Sequence, residues 1–213
     1  MLSLSTPLII SRVLTLIIAL TVHEFAHAFV ADRFGDDTPR IMGRLTLNPL
    51  KHLDVIGSLL LIVAGFGWAK PVPVNPIKLK EHSKSAFMWV SVAGPASNLL
   101  LACLAAIPIR FNLIPAFPTV SFLPSMMDFL VTFFVINLLL MVFNLMPLPP
   151  LDGEKILEFL LPEKWAAQYT KIKPFGPILL LAVVFVLPRF GIDIFGSIMT
   201  PILHFFQIVL LGG

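Results

Sequence analysis

The sequence predicts an all-α polytopic membrane protein: a three-helix core followed by C-terminal transmembrane helices, with a short β-hairpin or re-entrant segment beside the core. Three observations carry this reading. Of 213 residues, 57% are hydrophobic and only 13% charged, against about 25% charged in soluble domains. Mean hydropathy is +0.94, too apolar for a surface that faces water. Three runs, Pro7 to about Val30, Ala86 to Ile109 and Asp128 to Met146, each approach or exceed the roughly 20 apolar residues that cross hydrocarbon.

The first run has no small-residue cleavage site after it and continues past Leu20 into polar residues, so it reads as a retained helix and not a removable signal peptide. Gly43 to Pro49 alternates apolar and polar residues, as a half-buried strand does, either as an edge for strand addition or as an ordinary loop strand. Val55 to Trp68 is apolar but short, and Gly57, Gly65 and Gly67 weaken it as a helix, which favours a re-entrant hairpin or half-helix over a crossing. After the third run, Ile192 to Leu211 is long enough to cross. Pro177 to Leu187, between Pro174, Gly176 and Pro188, crosses only with tilt or local thinning. The chain reads as one domain over 1–213, with its core at about 7–160 and C-terminal helices at about 176–211.

Charge placement orients these elements, because Lys and Arg concentrate in cytoplasmic loops. Arg33, Arg40, Arg44 and Lys51 follow the first run, and Lys70, Lys78, Lys80 and Lys84 precede the second. Lys155, Lys164, Lys171 and Lys173 follow the third, whereas the loop between the second and third runs has only Arg110. A non-crossing Val55 to Trp68 puts all twelve of these charges on the cytoplasmic side, with the N-terminus outside and Arg12 snorkelling toward the outer face. The basic residues form no stripe, which argues against nucleic-acid binding. Cys103 cannot form an internal disulfide and reads as a small buried hydrophobe.

Positions 23 to 27 read His-Glu-Phe-Ala-His within an apolar helix. His23 and His27 are one turn apart, so both imidazoles leave the same face and can grip one Zn²⁺. Glu24, beside them, is placed to act on a water at the metal. The bland alternative is a helix end solvated at the interface, but ionisable groups at membrane depth are costly and need a reason. A catalytic zinc takes three protein ligands, and Asp152 offers the third. It ends the Asn144 to Gly153 run, where Pro147, Pro149 and Pro150 unwind the backbone. A plain turn at a membrane exit is the competing account. Asn144 reads either as an amide donor to a developing oxyanion or as an interhelical bond, and Asn98 and Asn137 as interhelical bonds. Gly94-Pro95 suits close helix approach. His52, His82 and His204 lack partner spacing and read as solvated or interfacial.

The His-Glu-Phe-Ala-His helix, Gly94-Pro95-Ala96-Ser97-Asn98 and the Asn144 to Gly153 run together resemble the site-2 protease family of intramembrane zinc metalloproteases (peptidase family M50), in its compact prokaryotic branch. The resemblance covers roughly Thr21 to Glu154. It implies His23, His27 and Asp152 as ligands of one Zn²⁺, Glu24 as general base, and Asn144 as a residue that holds substrate or the oxyanion. It implies an endopeptidase that cuts membrane-spanning protein substrates within or near the bilayer of a prokaryotic plasma membrane, with its active site toward the cytoplasm. The PDZ and CBS modules of many relatives are not in this sequence. The alternative is a metal-binding membrane protein without peptidase activity, a scaffold or ion pathway; Glu24 argues against it, since such a protein needs ligands but no base.

Overall fold

The computed structural model describes residues 5–54, 56–57, 68–114 and 122–212. The first helix, α1 (Thr6–Arg33), begins with Pro7 in its first turn, where the missing N–H costs nothing. It ends at Gly35, whose φ of +82° suits a residue without Cβ. Single turns at Thr38–Ile41 and Pro49–Lys51 lead to α2 (Pro76–His82) and α3 (Ala86–Arg110). Helix α4 (Met126–Leu145) is capped by Ser125, whose Oγ accepts the Asp128 N–H at 3.1 Å, and it stops at Leu145, two residues before Pro147. Then come α5 (Asp152–Leu160), α6 (Glu163–Ile172), α7 (Gly176–Leu181) and α8 (Ile194–Leu211). One 3₁₀ turn, Lys173–Phe175, joins α6 to α7, and a π turn and a second 3₁₀ turn continue the latter to Phe190.

Helices α1, α3 and α4 pack together as the core. Toward one end, Ala102, Ala105 and Ala106 of α3 let the backbones approach, and Phe133, Phe134 and Leu138 of α4 fill the space, with Met199 of α8 against them. Halfway along, Asn98 Nδ2 donates to Asn137 Oδ1 at 3.0 Å, and Asn137 Nδ2 donates to Phe133 O at 2.8 Å. The interhelical role expected of both asparagines holds. At the other end, Ala31, Leu79, Ala86 and Val90 form a smaller cluster that seats α2.

Among the described residues, five helical stretches are long and apolar enough to cross a membrane: Thr6–Arg33, Ala86–Arg110, Met126–Leu145, Glu163–Phe190 and Ile194–Leu211. The fourth corrects the expectation of a short 177–187 segment. Pro177 stands in the first turn of α7, where proline is tolerated, and Pro174 falls in the 3₁₀ turn before it, so neither ends the helical path.

The strand expected at Gly43 to Pro49 is not formed. These residues make turns and bends, because Arg44 turns inward and is 5% exposed, and Asn48 caps the Pro49–Lys51 turn by accepting the Leu50 N–H. Among the described residues there is no strand, only one antiparallel bridge, Leu53 to Ala69, beside which Lys70 N–H donates to His52 O at 2.8 Å. Of the expected re-entrant segment, residue 55 and residues 58–67 lie outside the described residues. Its two flanks meet at this bridge.

Candidate metal centre

The spacing of His23 and His27 on α1 puts both rings on the face toward α3. His23 Nδ1 lies 2.6 Å from Asn98 Oδ1, and His27 Nδ1 lies 2.6 Å from Val90 O, both acceptors on α3. Each ring therefore donates its Nδ1–H and turns an Nε2 lone pair inward, the arrangement that fixes a metal-binding tautomer. Asp152 arrives from the opposite wall. Its Oδ2 is 3.2 Å from both Nε2 atoms, which are themselves 3.0 Å apart. Three electron-pair donors facing one another at this range repel unless a cation lies among them. A tetrahedron with bonds of about 2.0–2.1 Å has edges of about 3.3 Å, so these separations fit one face of a zinc site.

Two glycines make the convergence possible. A Cβ on Gly94 would lie 2.3 Å from His27 Nε2 and 2.5 Å from His23 Nε2, so glycine there keeps the ion position open. A Cβ on Gly153 would lie 2.3 Å from Leu145 O, so glycine after Asp152 lets the proline-rich loop fold back onto the last turn of α4.

Glu24 is 8% exposed, and its Oε2 accepts the Val72 N–H at 3.0 Å. Val72 sits in an extended strap from Ala69 to Asn75 that is tied at both ends. Arg44 donates to Lys70 O at 2.8 Å, to Pro71 O at 2.6 Å and to Lys51 O. Asp36, fully buried, accepts the Asn75 N–H at 2.6 Å and the Thr38 N–H at 3.0 Å. Pro71 and Pro73 keep the strap out of a helix and leave Val72 as the donor between them.

A cavity of about 450 Å³ is lined by His23, Glu24, His27, Asn144 and Asp152, with Val72 of the strap and Leu140 and Phe143 of α4 on its walls. Every site residue expected from the sequence therefore faces one space. Asn144 Nδ2 donates to Leu140 O within its own helix at 2.9 Å, which engages one of its two N–H groups. Asn98 was expected only as an interhelical bond, and its link to His23 adds an orienting role that a 75-residue separation hides. The Val72 donor, a backbone group, has no sequence signal at all. His82 and His204 are exposed, as expected, but His52 is fully buried, with Nε2 2.7 Å from Thr46 O. It belongs to the packing of the 44–53 loop.

The chain is similar to known proteins named as zinc metalloproteases. The family model for Peptidase family M50 matches residues 11–187. A Bacillus subtilis (strain 168) protein named "Putative zinc metalloprotease YwhC" is 46% identical over 182 residues, covering 83% of this chain and 80% of that protein. The "Putative zinc metalloprotease Rip2" of Mycolicibacterium smegmatis is 38% identical over 149 residues, covering 67% of this chain and 54% of that protein, about half its length. Its Mycobacterium tuberculosis H37Rv counterpart is 32% identical over 185 residues, covering 85% and 69%. No solved structure matches.

Proposed function

The chain belongs to peptidase family M50 and is a zinc metallopeptidase with the helices of a multi-pass membrane protein, and from that premise we propose that it is an endopeptidase cutting membrane-spanning substrates within or near the bilayer. The observation that carries this reading is the placement of the three converging ligand atoms and Glu24 on one cavity inside the helix bundle. A peptide bond held there would be reached from inside the membrane.

In this reading His23, His27 and Asp152 hold the ion. When bound, zinc supplies a Lewis acid for the scissile carbonyl and for the attacking water. Glu24 takes the proton of that water and returns it to the departing amine. Its Oε1 accepts no hydrogen bond among the described residues, so that oxygen is available for the proton while the Val72 N–H holds Oε2. The second N–H of Asn144 is available to the developing oxyanion, a role worth about 2.7–4 kcal/mol where such donors have been removed. Asn98 and Val90 O hold the two imidazoles in the ligating orientation. The whole chain acts as one integral-membrane domain, and the basic residues around the zinc end support a plasma-membrane enzyme whose site faces the cytoplasm.

The test is cleavage of single-span membrane proteins co-reconstituted with the purified enzyme in liposomes. Wild type should yield fragments cut inside or at the edge of the hydrophobic segment, and Glu24→Gln should yield none while retaining zinc and accumulating uncut substrate. Cuts confined to loops outside the bilayer would refute the intramembrane reading.

A further inference from the structure

The direction of α8 follows from its two ends. Near its start, the Phe195 ring packs against that of Phe143, 5.8 Å between centroids, in the last turns of α4 beside the metal centre. At its finish, the Val209 and Leu210 carbonyls accept from Arg110, at 2.7 and 3.4 Å, and Arg110 is the last residue of α3. Helix α8 therefore runs parallel to α3, away from the zinc end of the bundle. Its first turn lies on the same side as Asp152. The chain between them must then cross the membrane an even number of times, although Glu163–Phe190 is long and apolar enough for a single crossing.

From Tyr169 to Val184 that run stays at the zinc end. Tyr169 Oη donates to Pro147 O at 3.0 Å, and Lys173 Nζ lies 2.8 Å from Glu154 and 2.6 Å from Glu158 of α5. Gly176 lies so close to Pro149 that a Cβ there would be 2.3 Å from the proline Cβ. Leu180 packs with Met146 and Leu151, and Val184 joins the same cluster. From 169 to 184 the contacts are thus with the loop that delivers Asp152, with the helix Asp152 begins and, in the Leu180 and Val184 cluster, with Phe143 in the last turn of α4 and Phe195 in the first turn of α8, all at the zinc end. A straight crossing of about 42 Å for 28 residues would instead carry the second half toward the middle of α4, where α8 packs.

We infer that the chain crosses the bilayer four times and that Glu163–Phe190 lies on the zinc-side surface of the membrane, with lipid headgroups and upper acyl chains as its partner. Its composition suits that position. Trp165, Phe175 and Phe190 are 60%, 60% and 75% exposed, alongside Lys164, Lys171 and Arg189, the aromatic and basic mixture of an interfacial helix. Charge placement agrees: Arg189 joins the zinc side, where thirteen of the fifteen Lys and Arg then lie, leaving only Arg12 and Arg110 elsewhere. The run is thereby a brace between the bilayer surface and the Asp152 loop. This inference is independent of what the enzyme cleaves.

Cysteine accessibility in sealed, uniformly oriented vesicles tests it, using full-length Cys103→Ala protein with zinc content as the check on folding. Lys80→Cys marks the zinc side and Leu113→Cys the opposite side. Arg189→Cys, or Phe190→Cys if the first loses zinc, should react with a membrane-impermeant maleimide from the Lys80 side. A cysteine appended after the C-terminus should react from the Leu113 side. A bimane on Phe175→Cys should be quenched more by a headgroup nitroxide lipid than by one with the nitroxide near the chain end. Reaction of position 189 or 190 from the Leu113 side, or stronger quenching of 175 from the bilayer centre, would overturn the inference.

Discussion

The backbone N–H of Val72 donates to Oε2 of Glu24 at 3.0 Å, joining residues 48 apart in the chain. The strap that carries Val72 is not self-supporting, since Pro71 and Pro73 remove two of its own donors. Its position depends on Arg44, which reaches three backbone carbonyls from a buried site. Arg44→Ala leaves those carbonyls without a donor, at about 1–3 kcal/mol for each that stays buried. It should lower kcat while leaving zinc content unchanged. Arg44→Lys restores the charge but not the planar fork, so it should recover only part of the rate. Full activity in Arg44→Ala would mean the strap holds itself.

Glu24 and the ligands should separate cleanly. Glu24→Gln keeps the size of the side chain and can no longer take a proton, so turnover should fall by about 10²- to 10⁴-fold with one zinc still bound per chain. Metal analysis on the same sample as the cleavage assay decides this, and native turnover would remove Glu24 from the role of base.

The orienting contacts of the imidazoles are open to a graded test. Asn98→Leu removes the acceptor of His23 Nδ1 and should weaken zinc binding by about 10- to 100-fold, the usual effect of losing a partner of a ligating histidine. Gly94→Ala should be more severe, because its methyl group would stand within 2.5 Å of both Nε2 atoms. Competition with a chelator of known affinity ranks the two, and wild-type affinity in Gly94→Ala would show that the ion sits elsewhere.

How far the sequence carries depends on how local each signal is. His23, Glu24 and His27 lie within five residues on one helix, so their shared face follows from the helical repeat. Asp152 is distant, but Pro147, Pro149 and Pro150 announce an unwound stretch and so make it visible. The link from His23 to Asn98 is not written locally, since it depends on the packing of α1 on α3. The misread strand at Gly43 to Pro49 shows the limit of a period of two. Turn residues alternate as well, and only the inward course of Arg44 tells the two apart. At 177–187 the prolines suggest breaks, but each falls where a helical path tolerates it.

Zinc should also stabilise the folded chain. With both Nδ1–H groups given to α3, the two Nε2 atoms and Asp152 Oδ2 oppose one another within 3.2 Å, and this repulsion is relieved when a cation occupies the triangle. A ligand at 1,000 times its Kd adds about 4.1 kcal/mol to folding stability, which for a domain of this size shifts Tm by about 8–16 °C. Chelated protein in detergent should therefore melt lower than the same protein after zinc is restored. The variants then assign the effect: Glu24→Gln should show the full zinc-dependent rise, because it removes no ligand, and Asp152→Ala should show little of it. An undiminished rise in Asp152→Ala would exclude Asp152 from the coordination sphere and return the loop from Asn144 to Gly153 to a structural turn.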